Sequence, residues 1–496
     1  SIPAMAVAFS TLVMWILHPW LLVLYYHLQG VPHYNRNIFD INTNFMIDDQ
    51  KEICAWFPKY FTMVLGPYFM LVIIDPELAK EFYSTKEASF TKRDISTDVI
   101  KTSTGKGLFT SFGDVWKSER KIISKAFKHD NLARMVSLIE KRCERMIADF
   151  QNRIRQSQRR AVTVLWDQEM TNLTIDTISV CAFGCNQRED QLNLLRETIR
   201  EGELNIMKYL ESFSYHLFPE KLKLNIDSQS RRLKRIGKKL KGVSLEMIQK
   251  RVSELQSSPE LFYERTDLLS AVIQSHLDGR SIDEIEDFID LDLLADECVT
   301  FIVAGGGTTS VVLTWIFYNL TKYPPVLHKL QKEIQEQFGG GKIANQNGGI
   351  TYKGINQLTY LNKVIRETLR LYPPLPLSSM QTAVRDVKLG DVRVKKGTLV
   401  GSFSFLSHRS PYLWNEPDKF NPDREEYDNE DLRFLPFGAG KRNCIGQHFA
   451  LMEVKTVVCK FLLNLNIEVD TSPKKLVNKL SLESADGVSA SLSLKE

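Results

Sequence analysis

One cysteine in the sequence has surroundings that suit a metal ligand. Residues 437–446 read Phe-Gly-Ala-Gly-Lys-Arg-Asn-Cys-Ile-Gly and directly precede an apolar segment with helical spacing. Gly440 and Gly446 permit tight turns and close approach to a flat ligand. A helix N-terminus should lower the pKa of Cys444 toward that of a thiolate, and Arg442 adds positive charge. Because no Cys or His accompanies Cys444, the loop suits axial ligation of haem iron better than zinc binding; the alternative is a buried structural cysteine.

Four other motifs precede this loop in the chain. They are Trp116-x-x-x-Arg120, Ala304 to Thr309, Glu367-x-x-Arg370 and Phe420 to Arg424. A glutamate and an arginine three residues apart carry little information alone, because such pairs usually lie on solvated helix faces. Together with the cysteine loop, in this order and spread over residues 116–446, the five motifs resemble the cytochrome P-450 family. The resemblance extends from about Gly30 to the end of the chain.

The resemblance implies haem b, iron protoporphyrin IX, as the cofactor, with Cys444 as the axial ligand of the iron. In the family pattern, motif arginines and a tryptophan hold the haem propionates, and aromatic and glycine residues shape the loop around the sulfur. The residues that would carry these roles here are Arg442, Arg120, Trp116, Phe437, Gly440 and Gly446. Surface salt bridges and core packing are the alternative roles for the arginines and the tryptophan.

By the same resemblance, three charged residues form a buried ion-pair network that fixes the cysteine loop without contacting substrate. They are Glu367, Arg370 and Arg424. Removing one partner from such a cluster would leave a buried charge uncompensated, at a cost of roughly 3–5 kcal/mol. We therefore expect this network to be structural.

The run from Ala304 to Thr309 matches the helix on which the family activates oxygen. The candidate catalytic residues are Ala304, Gly305, Thr308 and Thr309. The run departs from the family pattern at Gly307, where an Asp or Glu usually delivers protons together with the threonine. Glu297 lies about 15 Å away along a helix axis, too far to substitute without a water chain. Glycines weaken helices, so the triplet should favour a kink or a π-bulge that admits water.

Four lysines follow Trp116 at spacings of four, four and three residues: Lys117, Lys121, Lys125 and Lys128. On one helix they would form a positive stripe that steers an acidic flavin domain into electron-transfer range. The alternative is a solvated helix face. By the resemblance, electrons reach the protein from NADPH only indirectly, through NADPH–cytochrome P-450 reductase, with cytochrome b5 as a second candidate donor.

The periodicity of apolar residues predicts a mainly helical chain. Helices are expected over most of residues 131–338, including 266–276, 282–323 and 326–338, with a last helix at 447–463. Short strands are expected at 69–74, 387–394 and 398–403. The predicted fold class is mainly α with a minor β-sheet part, as in the cytochrome P-450 fold, preceded by one N-terminal transmembrane helix.

The N-terminal segment predicts a membrane anchor. Residues 2–28 contain no Lys, Arg, Asp or Glu and are long enough to cross a bilayer as a helix, which Pro19 should kink. The segment lacks the basic start and small-residue cleavage site of a signal peptide. Basic residues follow the span, which predicts a catalytic domain facing the cytosol from a single-pass anchor in the endoplasmic reticulum membrane. The expected division is 1–29 for the anchor and 30–496 for the haem-thiolate domain. A signal peptide or a buried core helix is the alternative.

The composition excludes several protein classes. Of 496 residues, 43% are hydrophobic and 25% are charged, proportions that describe a globular chain rather than a disordered one. The net charge is only +4, so nothing indicates a nucleic-acid partner. Seven cysteines without a C-x-x-C pair disfavour a disulfide scaffold or a zinc ribbon and predict a reducing compartment.

Three functions are compatible with the sequence. The first is a reductase-dependent monooxygenase that inserts one oxygen atom from O2 into a small lipophilic substrate drawn from membrane lipid: a sterol, a fatty acid or a similar lipid. Segments around Leu371 to Pro374 and Cys444 look nearest to cholesterol 24-hydroxylase and fatty-acid hydroxylases. The second is a haem-thiolate isomerase or lyase that rearranges lipid peroxides without a reductase, which Gly307 would favour. The third is a non-catalytic protein that binds haem or lipid.

Overall fold

The structure is a computed structural model. It describes residues 17–35, 44–65, 68–92, 95–184, 189–212, 215, 222, 224–258, 267–277, 280, 284–339, 349–377, 380–425 and 433–495. Within these ranges the chain is mostly helical with a small β part, in agreement with the predicted fold class.

The long helices build the core, and the short helices connect it to the sheets. In chain order they are α1 (17–27), α2 (Phe45–Asp48), α3 (Gln50–Trp56), α4 (Pro76–Lys80), α5 (Ile95–Thr104), α6 (Gly113–Ser124), α7 (His129–Gln156), α8 (Trp166–Phe183), α9 (Glu189–Leu210), α10 (Ser228–Ser257), α11 (Leu268–Leu277), α12 (Ile285–Phe288), α13 (Leu291–Lys322), α14 (Pro324–Phe338), α15 (Tyr352–Asn356), α16 (Thr359–Leu371), α17 (Ser404–Ser407) and α18 (Gln447–Asn464).

The strands of the described residues are short and mostly antiparallel. They are β1 (His33–Tyr34), β2 (Tyr60–Leu65), β3 (Tyr68–Ile73), β4 (Phe90–Thr91), β5 (Ala161–Leu165), β6 (Gln381–Ala383), β7 (Val387–Leu389), β8 (Val392–Val394), β9 (Leu399–Ser402), β10 (Leu465–Val469), β11 (Leu476–Asn478), β12 (Leu482–Ser484) and β13 (Ser489–Leu494). The largest sheet has the order β1-β2-β3-β9-β6-β4, with β1–β2 and β3–β9 parallel. The others are β10-β13-β5, β11-β12 and β7-β8.

Helix α13 runs through the main hydrophobic core. It is capped by Asp290, whose side chain accepts hydrogen bonds from the N–H groups of Asp292 and Leu293, and it ends before two prolines. This cap explains why the helix begins nine residues later than the predicted start at residue 282. Among the described residues, α13 alone is long and apolar enough to cross a membrane, but 72% of its apolar stretch is buried inside the protein. It is therefore a core helix.

The predicted π-bulge at the glycine triplet is wrong, because residues 304–309 are α-helical throughout. Helix α8 packs closely against this part of α13. A Cβ at Gly306 would lie 2.7 Å from Ile175, and one at Gly305 would lie 3.0 Å from Ile178. Thr174 donates a hydrogen bond to the Gly306 carbonyl at 2.8 Å. These two glycines therefore allow close helix contact, and that contact keeps the backbone regular.

Two predicted elements are shorter or divided in the structure. Helix α6 ends at Ser124, so Lys125 and Lys128 lie beyond it and the four lysines do not form a stripe on one helix. The predicted strand at 387–394 is the hairpin β7–β8, because Gly390 adopts a positive φ of 53° at its turn. The predicted strands at 69–74 and 398–403 correspond to β3 and β9.

The predicted membrane anchor is only partly described. Residues 1–16 lie outside the described residues, and residues 17–27 form α1. Several apolar side chains on and just after α1 are exposed, including Leu21 and Leu28. On its other side, Tyr26 is fully buried and bonds to Thr398 of the sheet.

Candidate functional site

The cysteine loop is a tight turn that delivers Cys444 to the start of α18. A single 3-10 turn, Gly440–Arg442, precedes the cysteine, and the Cys444 N–H donates to the Phe437 carbonyl at 2.9 Å. Gly440 has a φ of +66°, and a Cβ there would lie 2.0 Å from the Tyr83 carbonyl oxygen. Gly440 is thus required by both conformation and space. Gly446 is the N-cap of α18 with an ordinary negative φ.

The Cys444 sulfur lies in an enclosed but accessible position. The other described cysteines are buried, whereas Cys444 is exposed. Burial by the surrounding protein raises the pKa of the Cys444 thiol. The Gly446 N–H and the charge of Arg120 act in the opposite direction but do not cancel this rise. The predicted fall of this pKa is therefore wrong, because desolvation outweighs the helix terminus. The Cys444 thiol is therefore largely surrounded by protein and yet accessible.

Helix α6 is attached to the cysteine loop by two arginines. Arg120 donates from Nη1 to the Asn443 carbonyl at 2.9 Å and from Nη2 to the Asn443 Oδ1 at 2.7 Å. Arg442 donates to the Ser111 carbonyl at 3.0 Å, and its guanidinium lies 3.7 Å from the centre of the Trp116 ring. The structure thus brings Trp116, Arg120 and Arg442 together beside Cys444.

These two arginines create a local excess of positive charge. Burial and the charge of Arg120 together lower the pKa of Arg442 to about 10, against the opposing charge of Glu87. Burial also lowers the pKa of Arg120, which Cys444 opposes. Within the described residues, neither guanidinium forms an ion pair. Two neighbouring, half-buried cations of this kind suit a ligand that carries carboxylates.

The middle of α13 is accessible although its flanks are buried. Ala304 is exposed, and Gly305 and Thr308 are partly accessible. The Thr308 hydroxyl donates to the Ala304 carbonyl at 2.7 Å. Thr309 is only 2% exposed, and its hydroxyl has no hydrogen-bond partner among the described residues. The structure therefore separates the two predicted catalytic threonines, and only Thr308 lies on the accessible face.

Two glutamates are candidates for the acid that residue 307 lacks: Glu297, buried on α13, and Glu203, on α9. Glu297 accepts a hydrogen bond from the Leu108 N–H at 2.9 Å, so it holds the loop before α6 and does not replace an acid at Gly307. Glu203 of α9 lies next to Gly307 instead, with its Oε1 3.0 Å from the place of a Cβ. No local sequence signal marks Glu203, because its neighbour lies on a different helix.

The charged network lies behind the cysteine loop and is fully enclosed. Glu367 and Arg370 are 0% exposed, and Arg424 is 6% exposed. The Glu367 carboxylate accepts from Arg370 Nε at 2.8 Å and Nη2 at 2.9 Å, and from Arg424 Nε at 2.9 Å. The remaining N–H groups of both arginines donate to backbone carbonyls of residues 408–419. The cluster therefore fastens α16 to the segment that leads into the cysteine loop.

His408 connects this network to the loop, and the sequence analysis did not identify it. Its carbonyl accepts from Arg370 Nη1 at 2.7 Å, and its ring Nε2 accepts from the Leu435 N–H at 3.1 Å. Leu435 in turn begins the turn that contains Phe437 and Cys444. Burial, followed by the charge of Arg370, lowers the pKa of His408 to about 3. The ring is therefore neutral at physiological pH and acts as an acceptor.

Replacing His408 by Gln should make the protein less sensitive to acid. The folded state holds His408 neutral down to about pH 3, whereas the unfolded chain binds a proton near pH 6.5. Stability is therefore lost as pH falls below 6.5, by up to about 1.4 kcal/mol per pH unit from this residue. Urea unfolding between pH 6.5 and 4.5 should show a shallower pH dependence for His408→Gln. Equal slopes for the two proteins would contradict the assignment.

The four lysines are exposed on the surface beside α6. Lys117 forms an exposed ion pair with Asp114 at 2.9 Å. Lys121 lies on α6, Lys125 is its C-cap residue, and Lys128 directly precedes α7. The lysines thus belong to one surface segment that runs over a helix end and a short connection.

The sequence was also compared with known proteins. The model of the cytochrome P-450 family matches residues 34–487, most of the chain. The chain belongs to the cytochrome P-450 family. It is 28% identical to the human "Ultra-long-chain fatty acid omega-hydroxylase", over 86% of this chain and 80% of that protein. It is 28% identical to human cytochrome P-450 4Z1, over 87% and 84% of the two chains. It is also 28% identical to the cytokinin hydroxylase of Arabidopsis thaliana, over 84% and 77%.

Membership of the cytochrome P-450 family confirms the resemblance carried by the five motifs. The protein is a cytochrome P-450 monooxygenase whose cofactor is haem and whose electrons come from a redox partner. The hydroxylases among its relatives agree with this class of oxidoreductase.

Proposed function

We propose that this cytochrome P-450 is an NADPH-reductase-dependent haem-thiolate monooxygenase that hydroxylates a lipophilic substrate, with Cys444 as the axial ligand of the haem iron. The observation that carries the proposal is the exposure of Cys444 at the start of α18, since the other described cysteines are all buried. This sulfur stands just before α18, and both it and the ring of Phe127, which packs against Phe301 of α13, lie 4.0 Å from the place of a Cβ at Gly446.

The residues around Cys444 fit a haem. Arg120 and Arg442 supply two neighbouring positive charges without an ion pair among the described residues, which suits two propionates. Trp116 supports Arg442 by stacking, while Phe437, Gly440 and Gly446 shape the loop. The raised pKa of the Cys444 thiol does not conflict with ligation, because a metal ion stabilises a thiolate that burial disfavours. When bound, haem supplies the binding and activation of O2.

The protein's own residues would keep the cysteine loop in place, provide an apolar surface for the substrate and carry protons into the site. The buried network of Glu367, Arg370 and Arg424 keeps the cysteine loop rigid through His408. The accessible surface of α13 carries no charged side chain between Val303 and Thr308, so it suits the C–H bonds of an apolar substrate. The Thr308 hydroxyl is a proton carrier on this face, since it can accept a hydrogen bond from water while donating to Ala304.

The lysine patch is proposed as the docking site for the electron donor. Lys117, Lys121, Lys125 and Lys128 are exposed on the segment whose Trp116 and Arg120 contact the cysteine loop. A positive surface this close to the cofactor favours an acidic flavin domain, such as that of NADPH–cytochrome P-450 reductase, or cytochrome b5. Electrons would then need to travel only a short distance.

The substrate is proposed to be a fatty acid, a sterol or a similar lipid. The human relative named as an ultra-long-chain fatty acid omega-hydroxylase supports this class.

The proposed location is the endoplasmic reticulum membrane, with residues 1–29 as a single-pass anchor and residues 30–496 in the cytosol. The exposed apolar side chains of α1 support membrane contact. One relative, from Glycine max, carries the word "chloroplastic" in its name, so a plastid location is the alternative.

A reconstituted assay tests this function. Purified protein, NADPH, NADPH–cytochrome P-450 reductase and O2 should convert a lipid into a hydroxylated product, after a panel of sterols and fatty acids has been screened by spin-state shift of the ferric haem. Turnover of a lipid hydroperoxide without reductase, and no hydroxylation with it, would instead indicate an isomerase. A spin-state shift with neither reaction would indicate a binding protein.

Replacing Arg442 by Gln should weaken haem retention. The variant removes one of the two positive charges beside Cys444, and a charge-assisted hydrogen bond contributes about 1.5–3 kcal/mol. Haem transfer to excess apomyoglobin should therefore become at least about tenfold faster. Arg393→Gln, at an exposed position on β8, is the matched control and should leave the rate unchanged. Equal transfer rates for both variants would argue against a propionate contact at Arg442.

A further inference from the structure

The space next to Gly307 is occupied differently from the space next to the other two glycines of the triplet. At Gly305 and Gly306, side chains of α8 occupy the space that a Cβ atom would need. At Gly307 the nearest atom is the Oε1 of Glu203, at 3.0 Å, and no other described atom lies within 4 Å beyond the adjacent residues of α13. A carboxyl group from α9 thus stands where a side chain at residue 307 would begin.

Glu203 is suited to carry a proton. Its side chain is partly accessible, yet burial and, to a lesser extent, the charge of Glu483 raise its pKa to about 8 against the opposing charge of Arg200. At neutral pH the group is therefore a neutral carboxylic acid that can donate a hydrogen bond. A carboxyl group with a pKa near the working pH is also an efficient proton donor.

We propose that Glu203 supplies from α9 the catalytic carboxylic acid that residue 307 lacks on α13, and that it delivers protons to water on the Thr308 face. This inference rests on the proposed monooxygenase function. The acid would come from a different helix, α9, and water on the Thr308 face would receive its protons from Glu203.

The proton balance follows from the overall reaction, R–H + O2 + NADPH + H⁺ → R–OH + H2O + NADP⁺. One oxygen atom leaves as water and takes up two electrons and two protons. Glu203 supplies a proton when its O–H bond breaks and a neighbouring water accepts the proton, leaving a carboxylate. Solvent then restores the acid. A surface groove lined by Arg200, Glu201 and Leu204 brings solvent to the adjacent residues of α9.

The proposal is tested in the reconstituted enzyme by removing the carboxyl group from residue 203 on α9 and then introducing one at residue 307 on α13. Glu203→Gln should lower product formation by about 10²-fold, the lower end of the contribution of a positioned proton donor. NADPH consumption should continue with release of hydrogen peroxide. Adding Gly307→Asp to Glu203→Gln should restore much of the coupling between NADPH and product. Glu189→Gln, on the same helix at a half-exposed position paired with Arg145 and Arg196, is the control and should behave as wild type.

A measurement on stability reports on Glu203 independently of turnover. Since the folded protein holds this carboxyl neutral up to about pH 8, ionisation in the unfolded chain destabilises the wild type as pH rises above about 4.5. The unfolding midpoint of Glu203→Gln minus that of wild type should therefore increase between pH 5 and 8 and level off above. Gly307→Asp should also destabilise the protein more when Glu203 is present than when it is Gln, because two carboxyl groups then share one site.

The outcomes separate the two proposals. Two results would overturn the role of Glu203 while leaving the monooxygenase function intact. One is that Glu203→Gln forms as much product per NADPH consumed as wild type does. The other is that the difference between their unfolding midpoints does not change with pH. A loss of substrate spin-state shift with unchanged coupling would make Glu203 a substrate contact and would also overturn the proposal. A wild-type protein that forms no hydroxylated product would overturn the function itself, whatever the pH dependence shows.

Discussion

Replacement of Glu367 by Ala is expected to destabilise the protein by about 3–5 kcal/mol and to release its haem. The Glu367 carboxylate is 0% exposed and accepts hydrogen bonds from the guanidinium groups of Arg370 and Arg424 at 2.8–2.9 Å. Its removal leaves two buried positive charges without their carboxylate. Because folded proteins are typically stable by only about 5–15 kcal/mol, this loss is a large part of the total. The cysteine loop would loosen as well, since Arg370 holds His408 and His408 holds Leu435.

Urea unfolding and haem retention after gel filtration measure this effect. The matched control is Glu336→Ala on α14, whose partner Lys332 is 3.9 Å away in an ion pair where both side chains are mostly exposed. Exposed pairs contribute little, so the control should unfold like the wild type. If Glu367→Ala and Glu336→Ala had the same unfolding midpoint and haem content, the network would have no structural role.

Replacement of Cys444 by Ser is expected to abolish reductase-supported hydroxylation, to below the detection limit. A serine hydroxyl is not a thiolate, so the proposed electron donation to the haem iron would be lost even if haem still entered the site. Cys54→Ser is the matched control. The Cys54 thiol is buried and donates to the Leu406 carbonyl at 3.4 Å, a bond that a hydroxyl can also make. Equal turnover by Cys444→Ser and Cys54→Ser would refute the proposed ligand.

Features that depend on neighbouring residues could be predicted from the sequence. The turn before Cys444 depends on glycines within a few residues of it, and Gly440 has the positive φ that such a turn needs. Glu367 and Arg370 are one helical turn apart, so their pairing follows from the helix itself. The last helix, predicted at 447–463, is observed at Gln447–Asn464, because an apolar periodic segment directly follows the glycine.

Features that depend on packing between distant segments could not be predicted. Glu203 lies next to Gly307 only because α9 and α13 approach one another, and neither segment contains a pattern that reports the other. His408 has no local motif, and its role arises from contacts with Arg370 and Leu435 in the folded chain. The shift in the pKa of Cys444 is predicted with the wrong sign, because the sequence shows the helix terminus and not the extent of burial.

The glycine triplet shows how tertiary packing can override a local preference. Glycine is costly within a helix, by about 1 kcal/mol relative to alanine, which favours a distortion. In the structure, the contacts of Ile175 and Ile178 with this segment and the hydrogen bond from Thr174 keep it α-helical. The missing side chains are therefore better explained by close helix packing at Gly305 and Gly306 and by the Glu203 carboxyl at Gly307.

The carbon monoxide difference spectrum of the reduced, purified protein is the most direct test of a cysteine thiolate on the haem iron. We expect the wild type to show the red-shifted Soret band typical of haem-thiolate proteins, and we expect Cys444→Ser to lack it while Cys54→Ser keeps it. A wild-type band at the position of histidine-ligated haem, or a thiolate-type band that persists in Cys444→Ser, would contradict ligation by Cys444.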